Sequence, residues 1–191
     1  MKNILKNLHK TIGSIAKKLD EMEKRQDSIL VLSREIVRDC ANAIKNLHTG
    51  DLPEAKKICI AVEAKVKKLA GIRQGFEGTS AIAFQEYVEL ASLIAIIEEK
   101  PLPDFEKQGV DYRQFLAGLA DVVGELHRSM LIALRNRNRK KAEYLFDCME
   151  SIYDNLMVLK YSSSLVGALK PKQDSIRGQV EKARGELLEL K

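Results

Sequence analysis

The chain has 191 residues, 45% of them hydrophobic and 31% charged, with few prolines (4), modest glycine (11) and no tryptophan. That length suits one domain by the rough measure of about 150 residues each, and a balance rich in Leu, Ile, Ala, Lys and Glu points to a soluble, all-helical protein. The net charge of +5 and pI near 9.0 suit a polyanionic partner such as nucleic acid, or simply a lysine-rich surface.

Apolar or small residues recur at Leu5, Leu8, Ile12, Ile15, Leu19, Met22, Ile29, Ile36, Cys40, Ala43 and Leu47, with Gln26 and Ser33 as polar substitutes. Their alternating steps of three and four predict a heptad seam along one long helix, or two in line, burying a stripe in its own core or against a neighbour. Met1 to Lys24 is amphipathic rather than continuously apolar, so it lacks a signal-peptide core. Gly50 closes the segment, and Asp51 with Pro53 opens a second helix running to about Ala70. A glycine-bearing loop from Gly71 to Gly78 follows, with Thr79 or Ser80 as the expected N-cap of a third helix. Between Thr79 and Ile97 that helix is nearly unbroken in its apolar character and charged only at Glu86 and Glu89. Its longest apolar run, Leu90 to Ile97, falls short of the roughly 20 residues a bilayer span needs, so no membrane partner is expected.

Pro101 and Pro103 are expected to end the third helix. A fourth helix, from about Asp111 to Leu134, repeats the pattern with Asp121 and Glu125 in an apolar setting. Asn136 to Lys140 reads as a turn, a fifth helix runs to about Lys160, and a short one follows Ser162. Pro171 starts a last, strongly charged helix that ends near Leu190. No strand pattern competes and no linker interrupts, so residues 1–191 are expected to form a single all-α domain, a bundle of about six to seven helices with a long N-terminal helix.

Cys40, Cys59 and Cys148 are odd in number and widely spaced, without a CxxC pair, which argues against a disulfide framework or zinc site. They read as small core residues of a protein in a reducing compartment, the cytoplasm. No HExxH, Glu-x-x-His, Walker A loop or GxSxG elbow is present.

The four acids remain as candidate chemistry. Ionised carboxylates in apolar helices are costly unless compensated. Spacings of i, i+3 and i, i+4 put Glu86 with Glu89, and Asp121 with Glu125, on one helix face each. Oxygen donors of this kind suit magnesium, or manganese in its place. The competing reading is ion pairing with buried arginines or an oligomer interface; Arg128 follows Glu125 at i+3 and could neutralise it. Spacing alone leaves both open.

The segment Gln85-Glu86-Tyr87-Val88-Glu89, followed by Gly118-Leu-Ala-Asp121-Val-Val-Gly-Glu125-Leu-His-Arg128, resembles translin-associated factor X of the translin superfamily. Leu32 to Arg38, Leu47 to Asp51, Ile152 to Met157 and Lys172 to Asp174 agree, so the resemblance spans about Ser28 to Gly185. It implies a translin-like all-α bundle of about seven helices assembling into hollow homo-octamers, here as a prokaryotic, archaeal-type member. By the same resemblance, Glu86, Glu89 and Asp121 would coordinate magnesium, with Glu125 as fourth participant. The implied activity is an endoribonuclease that encloses short RNA and uses a metal-activated water, leaving 5′-phosphate and 3′-hydroxyl ends. Candidate RNA contacts are Arg34, Arg38, Arg73 and Arg128. Three rivals stay open: a non-catalytic translin-type single-stranded nucleic-acid-binding protein, an all-α nucleoside triphosphate pyrophosphatase, and a purely structural oligomerisation module.

Overall fold

A computed structural model describes residues 5 and 7–189 of the chain; the predicted end of the last helix at Leu190 lies outside them. Seven α-helices and one 3-10 turn make up the fold, with no strand among the described residues. They are α1 (Leu8–Thr49), α2 (Leu52–Ile72), α3 (Glu77–Ile97), α4 (Tyr112–Arg135), α5 (Arg139–Met157), α6 (Ser163–Val166) and α7 (Leu169–Glu189), with the 3-10 turn at Glu106–Gln108 between α3 and α4. The heptad stripe forms one uninterrupted 42-residue helix rather than two in line.

α3 packs against α1 and α2 on one side and α4 on the other, while α4 also packs against α5 and α7. Two three-helix groups therefore meet along the α3–α4 contact. The high apolar content of α3 follows from this central place: Ala83, Phe84, Tyr87, Val88, Leu90 and Leu93 are all essentially inaccessible to solvent. By length and composition alone α3 could cross a bilayer, but two-thirds of its most apolar window is buried inside the bundle.

The helix ends show how short-range chemistry sets the frame. Gly50, at φ +88, terminates α1 in the left-handed conformation, which an L side chain adopts only with strain. Asp51 and Asn138 accept hydrogen bonds from Glu54 N and Lys141 N and so cap α2 and α5. Several expected boundaries differ. α7 begins at Leu169 rather than at Pro171, which falls in its first turn where a missing N–H costs nothing, and α5 ends at Met157 rather than near Lys160. α3 begins at Glu77 rather than after Thr79, because Gly75 turns the chain at φ +83 and its N–H donates to the Glu77 carboxylate at 2.9 Å. α3 also stops before its prolines: Glu99 takes φ +55, and Lys100 N–H donates back to Ala95 O at 2.8 Å, a Schellman closure.

α1 is supported over only part of its length. Every described residue from Asn7 to Ser28 is exposed, whereas Ile29, Ile36, Cys40 and Ala43 are fully buried against the rest of the bundle. Arg25 marks the boundary, donating to Gln74 O at 2.8 Å with its guanidinium 5.0 Å from the Phe76 ring centroid. Lys65 of α2 fastens the supported part by donating to Glu35 and Asp39 at 2.9 Å each.

A carboxylate-lined candidate active site

The site begins with a glycine. At Gly118 of α4 a Cβ would lie 2.5 Å from the carbonyl oxygen of Gln85 and 2.8 Å from Val88 Cβ, both on α3. No side chain fits there without moving backbone, so Gly118 sets the closest approach of the two helices. One turn beyond it sits Asp121, opposite Glu86 and Glu89. The sequence motif that runs from Gly118 to Glu125 thus encodes both the contact and the carboxylates it delivers.

Glu86, Glu89 and Asp121 line one cavity of about 300 Å³, together with Ala120 of α4 and Lys172, Ser175, Ile176 and Gln179 of α7. Glu89 is only 8% exposed. Burial, reinforced by repulsion from Glu86, Asp121 and Glu125, pushes its carboxyl up to about 8, and Lys172 only partly offsets this. Glu86 is raised as well, by burial first and then by Asp121. The cavity therefore concentrates more negative charge than the protein around it neutralises. Cys40, buried on α1, feels the same field: burial and then Glu86 hold its thiol protonated.

The acids on α4 are held by partners distant in sequence. Lys172 Nζ donates to Asp121 Oδ1, and Gln85 Nε2 donates to Asp121 Oδ2 at 2.7 Å. Glu125 is bonded by His48 Nε2 from the C-terminal end of α1, a side chain only 4% exposed. Arg128, the partner suggested by the i+3 spacing, is exposed and has no ion pair among the described residues. His127, on the same helix, pairs instead with Glu186 of α7 at 2.6 Å.

With these bonds in place, no three His, Cys, Asp or Glu side chains among the described residues are gathered tightly enough to hold an ion. The donor chemistry nevertheless suits a hard divalent cation. Three carboxylates share one cavity, and the buried Gln179 Oε1 lines it without a hydrogen-bond partner among the described residues. The residues fit a magnesium-type ion by oxygen chemistry.

The basic candidates are scattered. Arg34 and Arg38 are exposed on one face of α1, Arg38 lying 3.7 Å from Asp39. Arg73 serves the fold: its guanidinium stacks 4.2 Å from the Phe84 ring centroid and donates to Gly109 O at 2.8 Å. None of the four arginines lines the carboxylate cavity. Sequence reasoning gave no site role to Lys172, His48 or Gln85. All three fall within segments that carry the resemblance, which is the signal the sequence offers for them.

Residues 24–188 match the translin family. The uncharacterized protein MJ0175 of Methanocaldococcus jannaschii is 38% identical over 167 residues, covering 85% of this chain and 75% of that protein. Among solved structures, the fold is similar to AfC3PO in complex with duplex RNA, at a TM-score of 0.86 and 28% identity over 94% of this chain and 96% of that one. AfC3PO solved by itself aligns with the same TM-score at 29% identity, over the same shares of the two chains. Apo-NeC3PO, at 22% identity and a TM-score of 0.85, covers 94% of this chain and 97% of its own and shares the fold. With the family match spanning nearly the whole bundle and both carboxylate pairs, the chain belongs to the translin family.

Proposed function

We propose that this protein is a magnesium-dependent endoribonuclease of the translin-associated factor X branch, acting on short RNA. The observation that carries the reading is the convergence of Glu86, Glu89 and Asp121 on one cavity across the α3–α4 contact. Similarity to AfC3PO, a structure of which contains duplex RNA, supports the substrate class.

Glu86, Glu89 and Asp121 would hold the cation, with manganese as a substitute, and Glu125 stands one turn beyond Asp121, oriented by His48. When bound, the ion supplies Lewis-acid polarisation of the phosphodiester and lowers the pKa of an attacking water. The protein's part is to orient the carboxylates across the α3–α4 contact and to bury Glu89, whose affinity for protons is raised by that burial. Exposed Arg34, Arg38 and Arg128 are available for backbone phosphates, whereas the stacked position of Arg73 suits a structural role better. Unpaired Cys40, Cys59 and Cys148 suit a reducing compartment, and we place the enzyme in the cytoplasm.

We further propose that copies of the chain associate as an octamer, with the exposed stretch of α1 supplying a contact that joins copies in pairs. Leu8, Ile12, Ile15, Leu19 and Met22 stand out from it at heptad spacing. Lys18 and Glu23 flank that seam at g and e positions, where opposite charges pair between two parallel copies.

Incubating end-labelled single-stranded RNA and duplex RNA with the protein, with and without magnesium, tests the activity. Magnesium-dependent products with 5′-phosphate and 3′-hydroxyl ends are expected, and Asp121→Asn should abolish cleavage while RNA binding persists. Products ending in 2′,3′-cyclic phosphate would overturn the water-attack mechanism. A non-catalytic nucleic-acid-binding bundle is the second reading, favoured by the pairing of Asp121 with Lys172 and Glu125 with His48. It requires RNA binding with no cleavage under any cation.

A further inference from the structure

Among the described residues, Lys172 is the one basic side chain lining the carboxylate cavity. It lies in the first turn and a half of α7, three residues after Leu169, where the helix dipole disfavours a cation. It is largely withdrawn from solvent, at 24% side-chain exposure, and its ammonium is spent on Asp121 Oδ1. A lysine held at the wrong end of a helix dipole, against one of three clustered acids, is there for those acids.

The groups facing it are Asp121 and Gln85, which share the pair, Glu86 and Glu89 on the opposite wall, and Ser175 and Gln179 on its own helix. A single ammonium serves three carboxylates, and Glu86 and Glu89 remain incompletely compensated. Both oxygens of Asp121 are engaged, one by Lys172 and the other by Gln85.

We propose that Lys172 is a displaceable counter-ion, an internal competitor that occupies Asp121 and sets the threshold at which a divalent cation can take the site. This rests on the cation-binding reading of the cavity given above. The ammonium stabilises the acid cluster when no ion is bound, and an entering ion must separate Lys172 from Asp121 and then tolerate a positive charge in the same cavity. Both costs weaken cation binding relative to a neutral residue at this position.

The test is calorimetric titration of the purified protein with Mg2+ alone, about one pH unit above the Glu89 value so that protons do not compete. Lys172→Met is expected to bind Mg2+ about tenfold more tightly than the wild type, the repulsion that a unit positive charge about 6 Å away exerts on a divalent ion even at the dielectric of water. Lys172→Arg keeps the charge and should stay near the wild-type affinity. A thermal scan guards against misfolding: Lys172→Met alone should melt lower than the wild type, and saturating Mg2+ should raise its midpoint by more. Equal or weaker Mg2+ binding by Lys172→Met, beside a wild type that does bind, overturns the counter-ion role and leaves the cation site standing. Absence of Mg2+ binding in both proteins instead removes the cation reading itself.

Discussion

The two halves of α1 carry one and the same heptad, yet only one half has a partner within the chain. From Ile29 onward the seam residues Ile29, Ile36, Cys40 and Ala43 are fully buried. Before it, Leu5, Leu8, Ile12, Ile15, Leu19 and Met22 are between 45% and 58% exposed. Periodicity therefore specifies which face of a helix is apolar and is silent on what covers it. The halves also divide the labour. The buried half brings Cys40 and His48 to the acid cluster, one within its field and the other bonded to Glu125. The exposed half runs about 25 Å from Leu8 to Lys24, taking 1.5 Å per residue, and none of its residues lines the carboxylate cavity.

The largest expected difference between the halves is in stability. Ile36→Ala removes a fully buried side chain from the packed half and should cost about 2–5 kcal/mol, read as a lowered denaturant midpoint. Ile15→Ala removes an equivalent seam residue from the projecting half, and in dilute protein it should change stability by no more than about 0.5 kcal/mol. Equal losses at the two positions would mean that the projecting half is packed within the single chain.

Next comes the contact that the buried half serves. Gly118→Ala places a methyl against the backbone carbonyl of Gln85 and the Val88 side chain, so α3 and α4 must part. Overpacking of this kind should cost about 1–3 kcal/mol, and it should weaken cleavage more than the stability loss alone accounts for, because the same movement separates Asp121 from Glu86 and Glu89. A variant that keeps full cleavage would show that the acids do not depend on this close approach.

Much of this was legible beforehand, for identifiable reasons. Helix periodicity and cap chemistry located all seven helices, because those signals are local. The acids stood out because charge is conspicuous in apolar helices such as α3. The partners were hidden because they are ordinary residues made special by distance in sequence. Lys172 is 51 residues from Asp121, in a helix dense with charge, and His48 is 77 residues from Glu125. The role of Gly118 was equally hidden, since a mid-helix glycine does not announce which neighbour it admits. The α3 boundaries were misjudged because Gly75 and Glu99 turn the chain before the more obvious Thr79 and Pro101.

The acid cluster should also register in pH, as a smaller effect. Glu89 and Glu86 titrate higher in the folded chain than in the unfolded one, so the fold favours their protonated forms. Their contribution is complete below the unfolded value of 4.5 and is lost as pH rises through the folded value, about 8 for Glu89. In chelator, the thermal midpoint should therefore fall across that window. Glu89→Gln should flatten the fall, and magnesium should counter it by stabilising the charged form. If Glu89→Gln leaves the slope untouched, another group is its source.

The smallest effect on the folded chain, and the sharpest test of the comparison, comes from the projecting half. Ile12→Glu with Leu19→Glu puts two charges on a seam already in water, so single-chain stability should change by no more than about 0.5 kcal/mol. Carboxylates placed at the centre of a coiled-coil seam would be desolvated on association, which forbids it. Sedimentation should then show a smaller assembly for the double variant than for the wild type at the same concentration. RNA cleavage measured on that smaller assembly would report whether the acid cluster needs the α1 contact. Unaltered assembly would place the contact elsewhere and leave the exposed seam as an unpartnered stripe. A stripe of five or more large apolar residues on a bare helix is a stronger association signal than scattered surface leucines, because its members lie on one line and lose water together.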